Sequence, residues 1–244
     1  PGGRFLPGYD FISSNALGLP ANFIANDGNG RDADPSDPGD WITAEEKAQF
    51  TNECTLPGEV APYATSESSW HGTHVAGVVA ATANNAVGIA GIGWNVKLLP
   101  IRALGKCGGA LSDIEEAIRW AAGLPVPGAP ANPYPAQVIN LSLGGDGVCG
   151  ATMQAAVTAA INAGAVVVAA TGNGSDVNTI SPANCTGAIG VTAHTINGEN
   201  ADYANIGPGT ALSAPGGGSP ILLGRGGPTD GADFDGRYIF STVL

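Results

Sequence analysis

The chain has 244 residues, enough for one large domain or two small ones. Apolar residues make up 43 % of it and its mean hydropathy is positive, so it can bury a globular core. Nine Lys and Arg against 21 Asp and Glu leave a net charge of −12, which excludes a nucleic-acid partner, because phosphates need a basic footprint. No apolar run reaches the ~20 residues of a membrane helix, so no membrane partner is expected. The N-terminus lacks the charged and apolar regions of a signal peptide. Four cysteines allow three pairings. None forms a CxxC, so zinc ribbons and thioredoxin-like motifs are excluded. Acidity, scarce Lys and abundant Gly, Asn and Ser suggest an exported protein with disulfides.

Residues 1 to 65 read as loop-rich, with the acidic, turn-forming stretch NDGNGRDADPSDPGDW at 26 to 41. Residues 71 to 83 read as a helix, small on several faces and therefore buried. A strand is expected over VKLLPIRAL, 96 to 104. GIAGIG (88 to 93) lacks the order and the preceding strand of a dinucleotide loop. A helix follows at 112 to 123, with Ser112 and Glu115 as a capping box. Ile114, Ala117, Ile118, Ala121 and Ala122 form its apolar stripe. QVINLSLGG (137 to 145) is a continuous apolar strand. Met153, Ala156, Val157, Ala160 and Ile161 stripe the next helix, which Gly164 ends. AVVVAATGN (165 to 173) and AIGVTA (188 to 193) are further buried strands. Residues 216 to 231 form a Gly-rich loop. Alternating helices and non-alternating apolar strands predict a three-layer αβα fold with a mainly parallel, doubly wound sheet covered on both faces. Sites in such sheets are built at the carboxyl ends of the strands.

Two of the three histidines, His71 and His74, open the first helix of this regular region. An i, i+3 pair can ligate a metal, but no HExxH is present and His194 is remote in sequence. A core histidine is the bland alternative. His71 stands at the helix start with Gly72 after it, where a neutral imidazole can take a proton from a hydroxyl. His194 is expected on a surface turn after a strand.

The stretch SSWHGTHVAGVVAA resembles the histidine motif of subtilisin-like serine proteases, the subtilase family. VINLSLGG is similar to that family's substrate-binding strand and loop, VVVAATGN to the strand that delivers its oxyanion asparagine, and LSAPGG (212 to 217) extends the match. PGYDFIS and LGKCGG are similar to secreted bacterial members with disulfides. The resemblance makes His71 the general base and then the general acid. Asn173 donates its carboxamide to the oxyanion, a contact worth roughly 10²–10³ in rate. Ser142, Leu143, Gly144 and Gly145 line the substrate groove, the last three pairing their backbone with an extended peptide. Gly108, Gly109 and Ala110 form the opposite wall, and Ala169 and Ala170 the specificity pocket; glycines would let two backbones approach closely.

The rest of the triad departs from the family pattern. The family's Asp lies in an Asp-Ser/Thr-Gly motif upstream of the histidine, and its nucleophile in a Gly-Thr-Ser motif opening a helix; these 244 residues hold neither. Asp10 in GYDF lacks the following small residue and Gly, and neither Ser219 nor Ser241 opens a helix. The expectation is a domain truncated at both ends, 1–244 being a partial peptidase domain without the Asp-bearing strand and the Ser-bearing helix. Alone it is expected to be inactive. Its partners would be a polypeptide substrate and, in the longer protein, a propeptide, and it would act as a secreted monomer. Two rivals remain: a non-catalytic extracellular peptide-binding module of this fold, and a metal-dependent hydrolase using His71 and His74.

Asp27, Asp32, Asp34, Asp37 and Asp40 crowd the acidic stretch, with Arg31 as the nearby cation. Such carboxylates repel unless solvated or bound to a hard cation, and related proteases hold this part of the chain with Ca²⁺, so a structural calcium is expected. Asp230, Asp233 and Asp235 are a second candidate. By the same resemblance Cys149 pairs with Cys185 and Cys54 with Cys107, each bridge fixing a pocket wall or simply stapling a long loop.

Overall fold

A computed structural model describes residues 3–13, 19–49 and 68–218. Cys54, Ser219, Asp230, Asp233, Asp235 and Ser241 lie outside them. The described residues fall into two compact units, one up to Pro135 and one from Ala136 onward.

In the first unit, strand β1 (Tyr9–Asp10) runs parallel to β2 (Ile101–Arg102), with Tyr9 opposite Ile101 and Asp10 opposite Arg102. Backbone bonds extend the pairing: Leu6 donates to the Leu98 carbonyl and Phe11 to that of Arg102. Pro100 has no N–H to give, so the long strand predicted over 96–104 shortens to two residues. The predicted loop before residue 65 also holds helices α1 (Ala21–Ala25) and α2 (Ala44–Gln49). Ile12, Leu19, Phe23, Ile24, Ala25 and Ile42 form one buried cluster. Tyr9, Phe11 and Trp120 pack ring against ring, with centroids 4.9 to 5.8 Å apart.

Helix α3 (His71–Ala80) is shorter than predicted and less buried, since only Gly77 and Ala80 are fully covered. Its last turn leaves carbonyls without intrahelical partners. GIAGIG supplies them: the N–H groups of Ile92, Gly93 and Gly91 donate to the carbonyls of Val78, Val79 and Ala81. A Cβ on Gly91 would lie 2.3 Å from the Ala81 nitrogen, so this turn requires glycine. Helix α4 (Leu111–Ala121) buries Ile114, Ala117, Ile118 and Ala121 as the stripe predicts. The capping box does not form. Ala110 is the N-cap, without a side-chain cap bond, and Ser112 already lies inside the helix.

In the second unit, β3 (Val138–Leu141), β4 (Val166–Ala170), β5 (Ile189–His194) and β6 (Thr210–Pro215) form one parallel sheet in that order. The crossover from β3 to β4 is α5 (Ala151–Asn162), which buries Met153, Ala156, Val157 and Ala160. Gly164, at φ +97°, turns the chain after it. Burial alternates along the strands rather than being continuous. Ile139, Leu141, Val167 and Ala169 are covered, while Val138 is 60 % and Val166 43 % exposed. Among the described residues, then, the β3–β4 part of the sheet is covered on one face, and the other, which carries Val138 and Val166 beside Asn140, is exposed. His194 ends β5 instead of lying on a turn, with Nδ1 3.0 Å from the Ser213 hydroxyl.

Candidate active site

His71 is the first residue of α3 and is exposed. Trp70 before it holds a left-handed conformation at φ 49°, which turns the chain sharply into the helix. The start is tethered from the acidic loop. Asp40 accepts the Ser69 N–H at 2.6 Å and the Ser69 hydroxyl at 2.7 Å, and Ser69 Oγ accepts the His71 N–H at 3.4 Å. Asp40 thus holds the entrance to the histidine helix. His74, half-buried one turn on, donates its N–H to the Trp70 carbonyl.

Asn173 lies in the second unit, exposed, in the loop that leaves the carboxyl end of β4. With Ser142, Ala170, Thr171, Gly172, Thr192, Tyr203 and Gly216 it lines a hollow of about 610 Å³ at the carboxyl ends of the strands. Ser142 and Ala170 line the same hollow as Asn173. Ala169 is buried in the covered face and does not line that hollow. Sequence reading overlooked residues 202–206, which brace the asparagine loop. Their signal is weak, because YAN and its neighbours match no periodic pattern.

Two of the glycines expected to line the groove, Gly109 and Gly144, pack closely against neighbours within the chain. A Cβ on Gly144 would sit 2.5 Å from Ile180 Cδ1 and 2.6 Å from the Ser181 carbonyl oxygen. Gly145 gives its N–H to the Ser181 carbonyl and accepts the Ser181 N–H in return, at 2.9 and 3.0 Å. Both of its backbone groups are therefore engaged within the chain. Leu143 lies between this latch and Ser142. In the first unit, a Cβ on Gly109 would meet the Ala103 carbonyl oxygen at 2.2 Å, while Gly108, at φ +95°, borders open space. Ala110 caps α4. Lys106, close to these glycines in the chain, is 1 % exposed. Its Nζ donates to Glu46 at 2.7 Å and lies over the rings of Phe23 and Trp41. Burial opposes the charge on Glu46, but the bonds from Lys106 and the Thr43 N–H outweigh it and hold the carboxyl below its ordinary value.

Cys149 and Cys185 form a disulfide, with 5.1 Å between their Cα atoms. Cys107 is also disulfide-bonded, and Cys54, its predicted partner, lies outside the described residues.

The acidic loop is neutralised differently from the sequence reading. Arg31 turns away from its neighbours to Asp113, Glu116 and the Phe11 carbonyl. The cation that reaches the loop is Arg102, which contacts Asp10 at 2.9 Å, Asp27 at 2.8 Å and Asp37 at 3.1 Å. Asp10 is fully buried, and desolvation pushes its carboxyl up to about 6 against the pull of the Ile12 N–H and Arg102. Asp32 and Asp34 are occupied by turns, accepting the N–H groups of Asp34 and Ser36. Hydrogen bonds from Ser36 hold Asp34 below its ordinary value. Asp27, Asn29, Asp32, Asp34, Ser36 and Asp37 line a shallow hollow. Its oxygen donors suit a hard cation, but among the described residues no group of three or more carboxylate, imidazole or thiol ligands converges.

The family model of the subtilases, peptidase family S8, matches residues 14–236. The chain belongs to the subtilase family. An extracellular protease of Xanthomonas campestris is 49 % identical over 94 % of this chain and 36 % of its own length. An extracellular basic protease of Dichelobacter nodosus is 41 % identical over 93 % of the chain and 36 % of its length. The chain thus spans about a third of the length of these two relatives. A solved protease structure from Pseudoalteromonas arctica superimposes with a TM-score of 0.77 at 46 % identity, covering 89 % of this chain and 59 % of that one. The fold is the subtilisin-like α/β fold.

Proposed function

We propose that this chain carries the histidine and asparagine part of a secreted serine endopeptidase. The observation that supports this most is the position of Asn173, exposed on a braced loop at the carboxyl ends of parallel strands and lining a hollow. His71 would take the proton of a serine hydroxyl as that oxygen attacks a peptide carbonyl. Asn173 would donate its amide N–H to the oxygen as it becomes negative. His71 would then protonate the leaving amine, and water would hydrolyse the acyl-enzyme. The attacking serine and the Asp that orients the imidazole would come from Gly-Thr-Ser and Asp-Ser/Thr-Gly motifs absent from these 244 residues. The names of the two extracellular relatives support export.

The test is peptide hydrolysis by the full-length protein and by the 244-residue chain. The full-length protein should turn over, His71→Ala should abolish turnover, and Asn173→Ala should lower kcat by roughly 10²–10³. The 244-residue chain should be inactive. A full-length protein that binds peptide without cleaving it is the non-catalytic module instead. Activity lost to chelators but indifferent to serine-directed reagents would favour the metal-dependent hydrolase.

We also propose that the acidic stretch holds a structural Ca²⁺, with Asp27, Asp32, Asp34, Asp37 and Asp40 as donors that the ion would draw together. Calcium should raise the melting temperature relative to EDTA; identical curves would leave Arg102 as the loop's counter-ion and remove the site.

A further inference from the structure

We propose that Asn205 is the positioning residue for Asn173. This rests on reading Asn173 as the oxyanion donor. The Asn173 carboxamide is exposed, so its location is set by the backbone on either side of it. Asn205, 3 % exposed, grips both sides. Its backbone N–H donates to the Gly172 carbonyl at 2.9 Å. Its side-chain Oδ1 accepts the Gly174 N–H at 2.7 Å and the Asp176 N–H at 3.1 Å. An amide oxygen has two lone pairs, and here each has a donor. The Asn205 carbonyl in turn accepts the hydroxyls of Thr171 at 2.8 Å and Thr192 at 2.9 Å, which ties it to β4 and β5. Gly172 is part of the same fit: at φ +111°, a Cβ there would lie 2.5 Å from Asn205 Nδ2. The residues flanking the oxyanion donor are thus referenced through one buried residue to the end of β4 and to the interior of β5. An oxyanion donor must be held within about 0.5 Å of its productive place, and a misplacement of about 1 Å can cost 10²-fold in rate.

The experiment is a double-mutant cycle in the full-length protease, read as kcat and KM on a peptide substrate. Asn205→Ala should lower kcat by roughly 10- to 100-fold with KM within about twofold. Asn205→Asp, whose oxygens still accept both N–H groups, should recover most of that loss. In an Asn173→Ala background, Asn205→Ala should slow the enzyme no further, because the donor it positions is gone. If Asn205→Ala costs the same factor with and without Asn173, or acts on KM alone, Asn205 is a structural residue and the inference is overturned. Should the alanine variant not fold, Asn205→Ser keeps every backbone bond, shortens the reach to Gly174 and gives the same cycle. Full activity of Asn173→Ala would refute the oxyanion reading itself, and this inference with it.

Discussion

Asp10 and Arg102 show how far a charge can lie from its partner in sequence. The acidic stretch appeared to have only Arg31 at hand, yet Arg31 reaches the carboxylates at the start of α4. Arg102, about 65 to 92 residues away from the three acids it contacts, does the neutralising. The pairing follows from β1 lying beside β2, which no local reading reveals. It also makes stability depend on pH. An unfolded Asp titrates near 3.9, whereas folded Asp10 titrates at about 6. Between those values the folded protein retains a proton that the unfolded chain has released. The group's contribution is therefore complete below about pH 4 and is lost as the pH rises through 6. Relative to Asp10→Asn, the native protein should lose up to ~3 kcal/mol of stability from pH 4 to pH 7. Urea unfolding at both pH values checks this, and a pH-independent difference would mean that Asp10 is ionised throughout.

The longer helices were legible because apolar residues recur at helical spacing. Met153, Ala156, Val157 and Ala160 are buried as the stripe over α5 requires, and Ile114, Ala117 and Ile118 as α4 requires. Ile118 is 1 % exposed, so Ile118→Ala should cost roughly 2–5 kcal/mol. Chemical denaturation should show that as a lower midpoint with an unchanged slope; a cost below 1 kcal/mol would mean that the stripe is not a core face. The short elements were not legible. β1 and β2 have two residues each and exist through their pairing, and α1 and α2 are too brief for a period to develop. Ser112 and Glu115 had the spacing of a cap, but the N-cap is Ala110, two residues too early for Ser112 to serve. GIAGIG carried a glycine pattern whose use, capping α3, depends on a contact with a helix ten residues earlier.

The family was legible because its histidine, substrate-loop and asparagine stretches keep their order and spacing, and the subtilase match over residues 14–236 agrees. What those glycines do was not. Gly109, Gly144 and Gly172 make room for Ala103, Ile180 and Asn205, neighbours that only the folded chain supplies. The sheet face carrying Val138 and Val166 exposes both valines beside Asn140, and exposed apolar surface favours association. The 244-residue chain should therefore self-associate at micromolar concentration, and Val138→Thr with Val166→Thr should reduce this in light scattering. Unchanged association in the double variant would place the sticky surface elsewhere. The proposal as a whole requires His71 and Asn173 to act on one carbonyl carbon. A crystal structure of the full-length protein with a peptide aldehyde measures that directly. The account predicts a hemiacetal oxygen about 3 Å from Asn173 Nδ2, with the His71 imidazole beside the same carbon. An adduct whose oxygen meets neither residue would contradict it.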